Sequence, residues 1–482
     1  MSMSFRKVTL RALEQERVCT LERCCVDVIV GNIGNFLGEL NNRDIYLPES
    51  SRESILTKLS KKDFIHKHVI DNLICDGIST LNLTGADLSR CTPDVLESIW
   101  TAAYGISSVI LDDASISICI MRMLTYIDIY KPQNSMSLLN FHARNTEIMT
   151  DTIVEILTTN CPNIRSLVIP MCPLLTEYSF EVIANGVFAS SLEYLDYSYN
   201  KISYNTLKNI SSSFCEMKKL NLAGSITESP DKNTILGLSI RFPLPHLIIH
   251  LDISSCMISS NDIVFILKPI IHQIITLSIA ESVFASDDLL ELLHSLDTTI
   301  SCTPFHCPLT SLNISWCDNL EDYAVSQWLG KCPKLTTLSN KCGNIGSHSL
   351  RALVKSSRCP MTELILPRCE NIDSTHLNDY ICSMSATLQH LDISWGSVTD
   401  SGVLAILNNC IVLKILILEG CKDLTALVFD TLMKSTQSCS SYQSVDGILD
   451  DPIISDLQDR QHYLNTHLCQ DNDSDTTSSG HG

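Results

Sequence analysis

Several common features are missing from this 482-residue sequence. The N-terminus has no apolar signal segment, since residues 1–18 (MSMSFRKVTLRALEQERV) carry charges throughout. No uninterrupted apolar run approaches the roughly 20 residues that a membrane span needs. We therefore expect no membrane contact, and a cytoplasmic or nuclear location in which thiols stay reduced.

Basic charge is also scarce. There are 34 Lys and Arg against 54 Asp and Glu, a net charge of −20, whereas a nucleic-acid-binding surface needs clustered basic residues. We therefore expect no nucleic-acid partner. Residues 439–482 alone hold eight Asp and one Arg. Such a segment buries too little apolar surface to offset its ordering entropy, so the sequence predicts an acidic disordered tail over 438–482.

Catalytic and metal-binding signatures are absent as well. The phosphate-binding, dinucleotide-binding, serine-hydrolase and zinc-protease motifs do not occur. The 22 cysteines include close pairs such as Cys24–Cys25 and Cys302–Cys307, but none with the paired C-x₂-C spacing of a zinc site. We expect a protein that is not an enzyme and that uses no cofactor or metal.

A leucine repeat dominates the middle of the chain. Segments such as STLNLTGADLS (79–89) and QHLDISWGSVT (389–399) share the pattern apolar-x-x-Leu-x-apolar. The central residue recurs every 25 to 35 residues, at Leu81, Val109, Leu139, Leu167, Leu195, Leu220, Leu251, Leu277, Leu312, Leu338, Leu364, Leu391 and Leu416. Thirteen turns at this period indicate a leucine-rich-repeat solenoid over 78–437.

Each repeat has a clear physical interpretation. The Leu-x-Leu alternation predicts a short strand with both leucines directed inward. Stretches such as 150–161 and 401–410 have helical apolar spacing, so each predicts a helix on the outer face. Cysteines five residues after the central leucine fit a buried turn position better than a metal or catalytic role: Cys172, Cys256, Cys317, Cys369 and Cys421. The pattern resembles the ribonuclease-inhibitor-like, cysteine-containing repeats, an α/β fold.

Polar and aromatic residues on the strands are candidate substrate contacts. Asp196, Asp252, Asn313 and Asp392 are predicted to face outward from the concave side, where they would suit a basic or polar peptide or would simply be the solvated face of the strands. Trp316 and Trp395 come just after two strands. Such residues are either interface anchors or packing on the next repeat, and the sequence leaves both open.

Residues 1–77 do not repeat and predict two short helices. The first covers 20–40 (TLERCCVDVIVGNIGNFLGEL), with Leu21, Cys25 and Ile29 on one face. The second begins at Pro48, whose missing N–H costs nothing at a helix start. Their simplest role is a cap over the exposed end of the solenoid, which repeat proteins require.

The same residues carry a family resemblance. Thr20-Leu21-x-x-x-Cys25-x-x-x-Ile29 resembles the BC box that docks substrate receptors onto elongin C, and Leu47-Pro48 is similar to the cullin-2 box. Together, ahead of leucine-rich repeats, they resemble the Zyg/Zer group of cullin-2 ubiquitin-ligase receptors. The resemblance implies that Leu21, Cys25 and Ile29 bind elongin C of the elongin B/C pair. It also implies that Leu47, Pro48 and nearby residues touch cullin-2, and Ile55 is a further predicted docking residue of this segment.

Two departures from that group bear on the prediction. Ser51 stands where the cullin box has an apolar residue, and the C-terminal armadillo-type repeats are absent, so the leucine-rich repeats would have to read the target protein. Residues 47–63 also resemble an F-box, which would dock the Skp adaptor and cullin-1. The sequence thus favours an elongin-linked substrate receptor, with an F-box receptor or a plain interaction scaffold as alternatives.

Overall fold

The computed structural model describes residues 21–34, 47–61, 73, 78–87, 106–115, 137–147, 149–202, 206, 213–227, 244–299, 306–355, 360–425 and 427–428. The chain divides into two compact units, Met1–Asp423 and Leu424–Gly482. All elements below belong to the first unit. The predicted tail over 438–482 lies outside the described residues.

The described strands form one parallel sheet of thirteen, and they follow each other in chain order. Each strand has three residues, with a buried centre between two more exposed neighbours. Their bounds are β1 Thr80–Asn82, β2 Ser108–Ile110, β3 Asn140–His142, β4 Ser166–Val168, β5 Tyr194–Asp196, β6 Lys219–Asn221, β7 His250–Asp252, β8 Thr276–Ser278, β9 Ser311–Asn313, β10 Thr337–Ser339, β11 Glu363–Ile365, β12 His390–Asp392 and β13 Ile415–Ile417. The predicted α/β solenoid is confirmed.

One predicted register is wrong. The structure pairs Phe141, not Leu139, with the central residues of both neighbouring strands. Phe141 is fully buried, whereas Leu139 is 38% exposed. The repeat pattern is satisfied here by Leu138, Phe141 and Ala143, all buried. An aromatic residue at the central position, beside two leucines, concealed the correct register in the sequence.

Helices follow most of the strands from β3 onward, and two more precede β1. The bounds are α1 Leu21–Gly31, α2 Glu49–Ser60, α3 Asp151–Asn160, α4 Glu177–Asn185, α5 Ser260–Leu267, α6 Ser286–Thr299, α7 Asp322–Leu329, α8 Ser347–Lys355, α9 Ser374–His376 and α10 Asp400–Asn409. Two of these, α3 and α10, confirm the helices predicted from apolar spacing. The short α9 continues into a π-helical turn, Leu377–Ile381.

The core lies between the sheet and the layer of helices. Central strand residues such as Leu312 and helix residues such as Phe180 and Trp328 contribute to this core, and all three are fully buried. Consecutive helices also pack on each other, most extensively α7 on α8. Each repeat therefore buries its apolar side against its neighbours, as expected for a stacked array.

Candidate functional site

Helix α2 covers the first strand of the sheet. Pro48 is its N-cap residue, and Leu56 and Leu59 on its inner side are at most 1% exposed. Two carboxylates of α2 accept hydrogen bonds from the edge of the sheet. The backbone N–H groups of β1 and of the residue before it have no strand on that side to pair with. The Ser79 N–H donates to Glu49 Oε1 at 2.8 Å, and the Thr80 N–H donates to Glu53 Oε1 at 2.7 Å.

This arrangement corrects one predicted contact. Ile55 is fully buried beside Leu56, so it is a core residue and is not exposed for an adaptor. Leu56 and Leu59, which belong to the segment that resembles an F-box, are buried in the same way. Leu47 is half-buried and Pro48 is exposed, so these two predicted contacts lie at the surface.

Helix α1 packs on α2. Its inner side is formed by Val26 and Val30, which are 3% and 6% exposed. The Lys58 ammonium of α2 pairs with the Asp27 carboxylate of α1. Because both groups are well exposed to solvent, this ion pair orients the helices more than it stabilises them.

The outer side of α1 carries the residues predicted to bind an adaptor. Cys25 is exposed, Val28 is 64% exposed and Ile29 is half-buried. Leu21 is the first residue of the helix, and its side chain lies outside the described part of the structure. Residues four apart share a helix face, so Cys25 and Ile29 form an accessible, largely apolar strip.

The predicted concave polar residues have partners in their own turns. In each case the side-chain oxygen accepts the backbone N–H two residues later, which closes the turn after the strand. The pairs are Asp196 with Ser198, Asp252 with Ser254, Asn313 with Ser315 and Asp392 with Ser394, at 3.1, 2.9, 3.1 and 3.0 Å. This geometry gives them a structural role, and a substrate role for these residues stays a prediction.

A shallow depression on the concave face includes residues that the sequence did not single out. Its volume is about 490 Å³, and its lining includes Tyr194, Lys219 and His250 beside Asp252 and Asn313. The Lys219 ammonium lies 5.9 Å from the Tyr194 ring centroid. Burial, together with the charge of Lys219, lowers the pKa of His250, which favours its neutral form. Residues from five successive strands, β5 to β9, build this surface, a combination that no local motif reveals.

The two tryptophans contact residues of other repeats and are also partly exposed, and an interface role for them stays a prediction. Trp316 is 40% exposed and Trp395 is 51% exposed. The Arg368 guanidinium carbon lies 5.2 Å from the Trp316 ring centroid. The Trp395 ring lies against Gly420 of the next repeat, where an added Cβ would be only 2.4 Å from a ring carbon. Each ring therefore has an intramolecular contact and a solvent-facing part.

Within the described ranges, no helix combines the length and the apolar character that a membrane span requires. The same ranges contain no group of three or more His, Cys, Asp or Glu side chains that could hold a metal ion.

A family model and one solved structure agree with the fold. A leucine-rich-repeat family model matches residues 385–407. A chain from the Rad7 and Elc1 complex of yeast is 15% identical and has a TM-score of 0.52, covering 85% of this chain and 95% of that one. A chain from a TLR13–ssRNA13 complex is also 15% identical, with a TM-score of 0.38 over 73% of this chain and 47% of that one. No curated protein matched.

Proposed function

We propose that this protein is the non-catalytic substrate-recognition subunit of a cullin–RING ubiquitin ligase. Helix α1 would dock elongin C of the elongin B/C pair, and the solenoid would bind the target protein. The observation that carries the proposal is the outer side of α1, where Cys25, Val28 and Ile29 are accessible while Val26 and Val30 pack on α2.

The arrangement of the two N-terminal helices supports this assignment over the alternatives. Because α2 already uses its apolar side to cover β1, it has little left to offer the Skp adaptor as an F-box. Helix α1 has an inner side that fixes it to α2 and an outer side that no described element covers. Leu47 and Pro48, at the surface before α2, are the residues proposed to face cullin-2.

The Rad7 and Elc1 complex adds limited support. It is a solved complex in which one chain has a fold similar to this one over 85% of the present length. At 15% identity this likeness concerns the fold, so the adaptor assignment depends on the residues of α1.

Such a subunit would act by proximity. The solenoid would bind the target, and α1 would link the same chain to the ligase. The target would then be at a high effective concentration near the ligase, so that ubiquitin transfer needs no catalytic group on this chain.

The adaptor assignment is tested with the purified full chain and elongin B/C. Cys25→Asp and Ile29→Asp place a carboxylate in the proposed apolar interface. We expect each to weaken binding at least about a hundredfold, because burying an unpaired charge is costly. The matched control is Arg23→Asp, an exposed position turned about 200° around the helix from Cys25 and so away from the proposed face, which should bind as wild type.

Each alternative predicts a different result. Pro48→Ala should retain elongin B/C and lose cullin-2 if the second contact is correct. Wild-type protein that binds no elongin would overturn the proposal, and capture of the Skp adaptor instead would favour the F-box receptor. Equal losses in the Arg23 and Cys25 variants would show that this face of α1 is not the docking surface.

A further inference from the structure

Three of the turns that follow the strands hold a half-exposed aromatic residue in the left-handed backbone conformation. Each of the thirteen turns contains one residue with positive φ, and in nine of them that residue is not glycine. Tyr199, Trp316 and Trp395 occupy three of these positions and are 60%, 40% and 51% exposed. An L-residue in this region costs roughly 1–2 kcal/mol. Because the three rings are only partly buried, their burial compensates for only part of this backbone cost.

Trp316 shows which chemistry a ring at this position accepts. The Arg368 guanidinium carbon lies 5.2 Å from its centroid, within the range of about 6 Å for a cation–π interaction. Arg368 is itself exposed and has positive φ. The equivalent position three repeats later is Trp395. Within the described ranges no Lys or Arg lies over the Trp395 ring.

The turns on both sides of Trp395 carry acidic side chains. The preceding turn holds Glu370 and Asp373 beside Arg368, and the following turn holds Glu419 and Asp423 beside Lys422, so both turns are net acidic. The Glu419 carbonyl accepts the Trp395 N–H at 2.6 Å. No ion pair between described residues involves the Glu370 or Glu419 carboxylate. The segments that connect strands β8 to β12 to the helices after them, together with the residues from β13 to Asp423, hold seven Asp or Glu and three Lys or Arg. An exposed ring in an acidic setting is complementary to a cation.

We propose that Trp395, flanked by Glu370 and Glu419, binds an Arg or Lys side chain of an extended basic segment in a partner protein. The intramolecular pair of Arg368 with Trp316 occupies the same position in an earlier repeat, and the Trp395 site receives its cation from outside. The proposal goes beyond adaptor docking and uses the solenoid alone, so it fails or succeeds independently of α1.

The test uses the full chain and three synthetic nine-residue peptides that alternate Gly with Arg, Glu or Ser. Binding is measured by calorimetry at low and physiological salt. We expect the Arg peptide to bind and the other two not to bind. Trp395→Leu should weaken the Arg peptide by about five- to tenfold, the effect of one partly exposed cation–π contact.

Two further variants separate the ring from the charges. Trp316→Leu is the matched control, since that ring is already paired with Arg368, and it should change the affinity by less than about twofold. Glu370→Gln combined with Glu419→Gln should weaken binding and reduce its salt dependence. Circular dichroism of each variant establishes that the fold is retained.

Several outcomes would overturn the proposal. They are equal binding of the Glu peptide, no binding of the Arg peptide, or a Trp395→Leu variant that binds as wild type. If light scattering instead finds a dimer that Trp395→Leu abolishes, the surface is occupied by a second copy of the chain and not by a basic segment.

Discussion

At the scale of single residues, one position joins each repeat to the one before it. Five residues after the centre of a strand, a small polar side chain donates a hydrogen bond to a carbonyl of the preceding repeat. The donor–acceptor pairs are Cys172 to Ala143, Cys256 to Leu222, Cys317 to Ile279, Asn200 to Ile169 and Ser225 to Tyr197, at 3.1, 3.0, 3.1, 2.7 and 2.9 Å. The structure thus confirms the buried role predicted for these cysteines.

The chemistry of the thiol suits this position. Burial raises the pKa of Cys172 to about 11 and raises the pKa of Cys256 and Cys317 in the same direction. The thiols therefore stay protonated at neutral pH, and a protonated thiol is what donates to a carbonyl. Cysteine, asparagine and serine alternate at this position because each provides a small donor.

Asn200 is the most connected of these residues, and its loss should be the most damaging. Its amide donates to the carbonyls of Ile169 and Tyr197, and its oxygen accepts the Cys172 N–H at 2.8 Å. We expect Asn200→Ala to reduce the free energy of unfolding by about 2–4 kcal/mol, because buried backbone groups lose their partners. Asn200→Cys introduces the residue found at this position in other repeats, and it should reduce the free energy of unfolding by about half as much. Urea denaturation followed by circular dichroism measures both, and equal losses would contradict this explanation.

At the scale of elements, the sequence predicted helices and strands well where apolar spacing alone determines them. Asp151–Asn160 was expected from its helical period, and the central leucines were expected to face the core. The contacts of α2 were not predictable in the same way. Glu49 and Glu53 find their partners about thirty residues away, and Ile55 is buried by an element that local patterning does not identify. Long-range pairing decides such positions, and periodicity carries no information about it.

The cap formed by α2 should therefore depend on its two carboxylates. Glu49→Ala combined with Glu53→Ala leaves the N–H groups of Ser79 and Thr80 without their acceptors at the edge of the sheet. Hydrogen bonds to charged groups contribute about 1.5–3 kcal/mol each when buried and less when partly exposed. We expect faster amide hydrogen exchange at these two residues and in α2, measured by mass spectrometry.

The control for the cap is Ser54→Ala, an exposed change on the same helix, which should exchange as wild type. Unchanged exchange at Ser79 and Thr80 in the double variant would mean that apolar packing alone holds α2. Exchange in distant strands such as β9 should not respond in either variant.

At the scale of the whole molecule, chain order and spatial order coincide. All thirteen strands pair only with the strands before and after them in sequence. Stability in such an array is close to a sum of repeat terms and neighbour terms, so a defect should spread over a limited distance. The buried cysteines of repeats along the sheet can report this, since each becomes reactive only when its own repeat opens.

Leu312→Ala tests how far a defect spreads. Leu312 is fully buried at the centre of β9, and a substitution of this kind costs about 2–5 kcal/mol. If the substitution destabilises the repeat by about 3 kcal/mol, the locally open state becomes about a hundredfold more populated. Cys317 in the same repeat should then react faster with a thiol reagent by that factor. Cys256, two repeats away, should respond less, and Cys172, five repeats away, should hardly respond. Asp318→Ala, an exposed change in the same repeat, is the control. Equal acceleration at all three thiols would mean that the sheet opens as one unit, because only coupling that extends across many repeats carries a local defect that far.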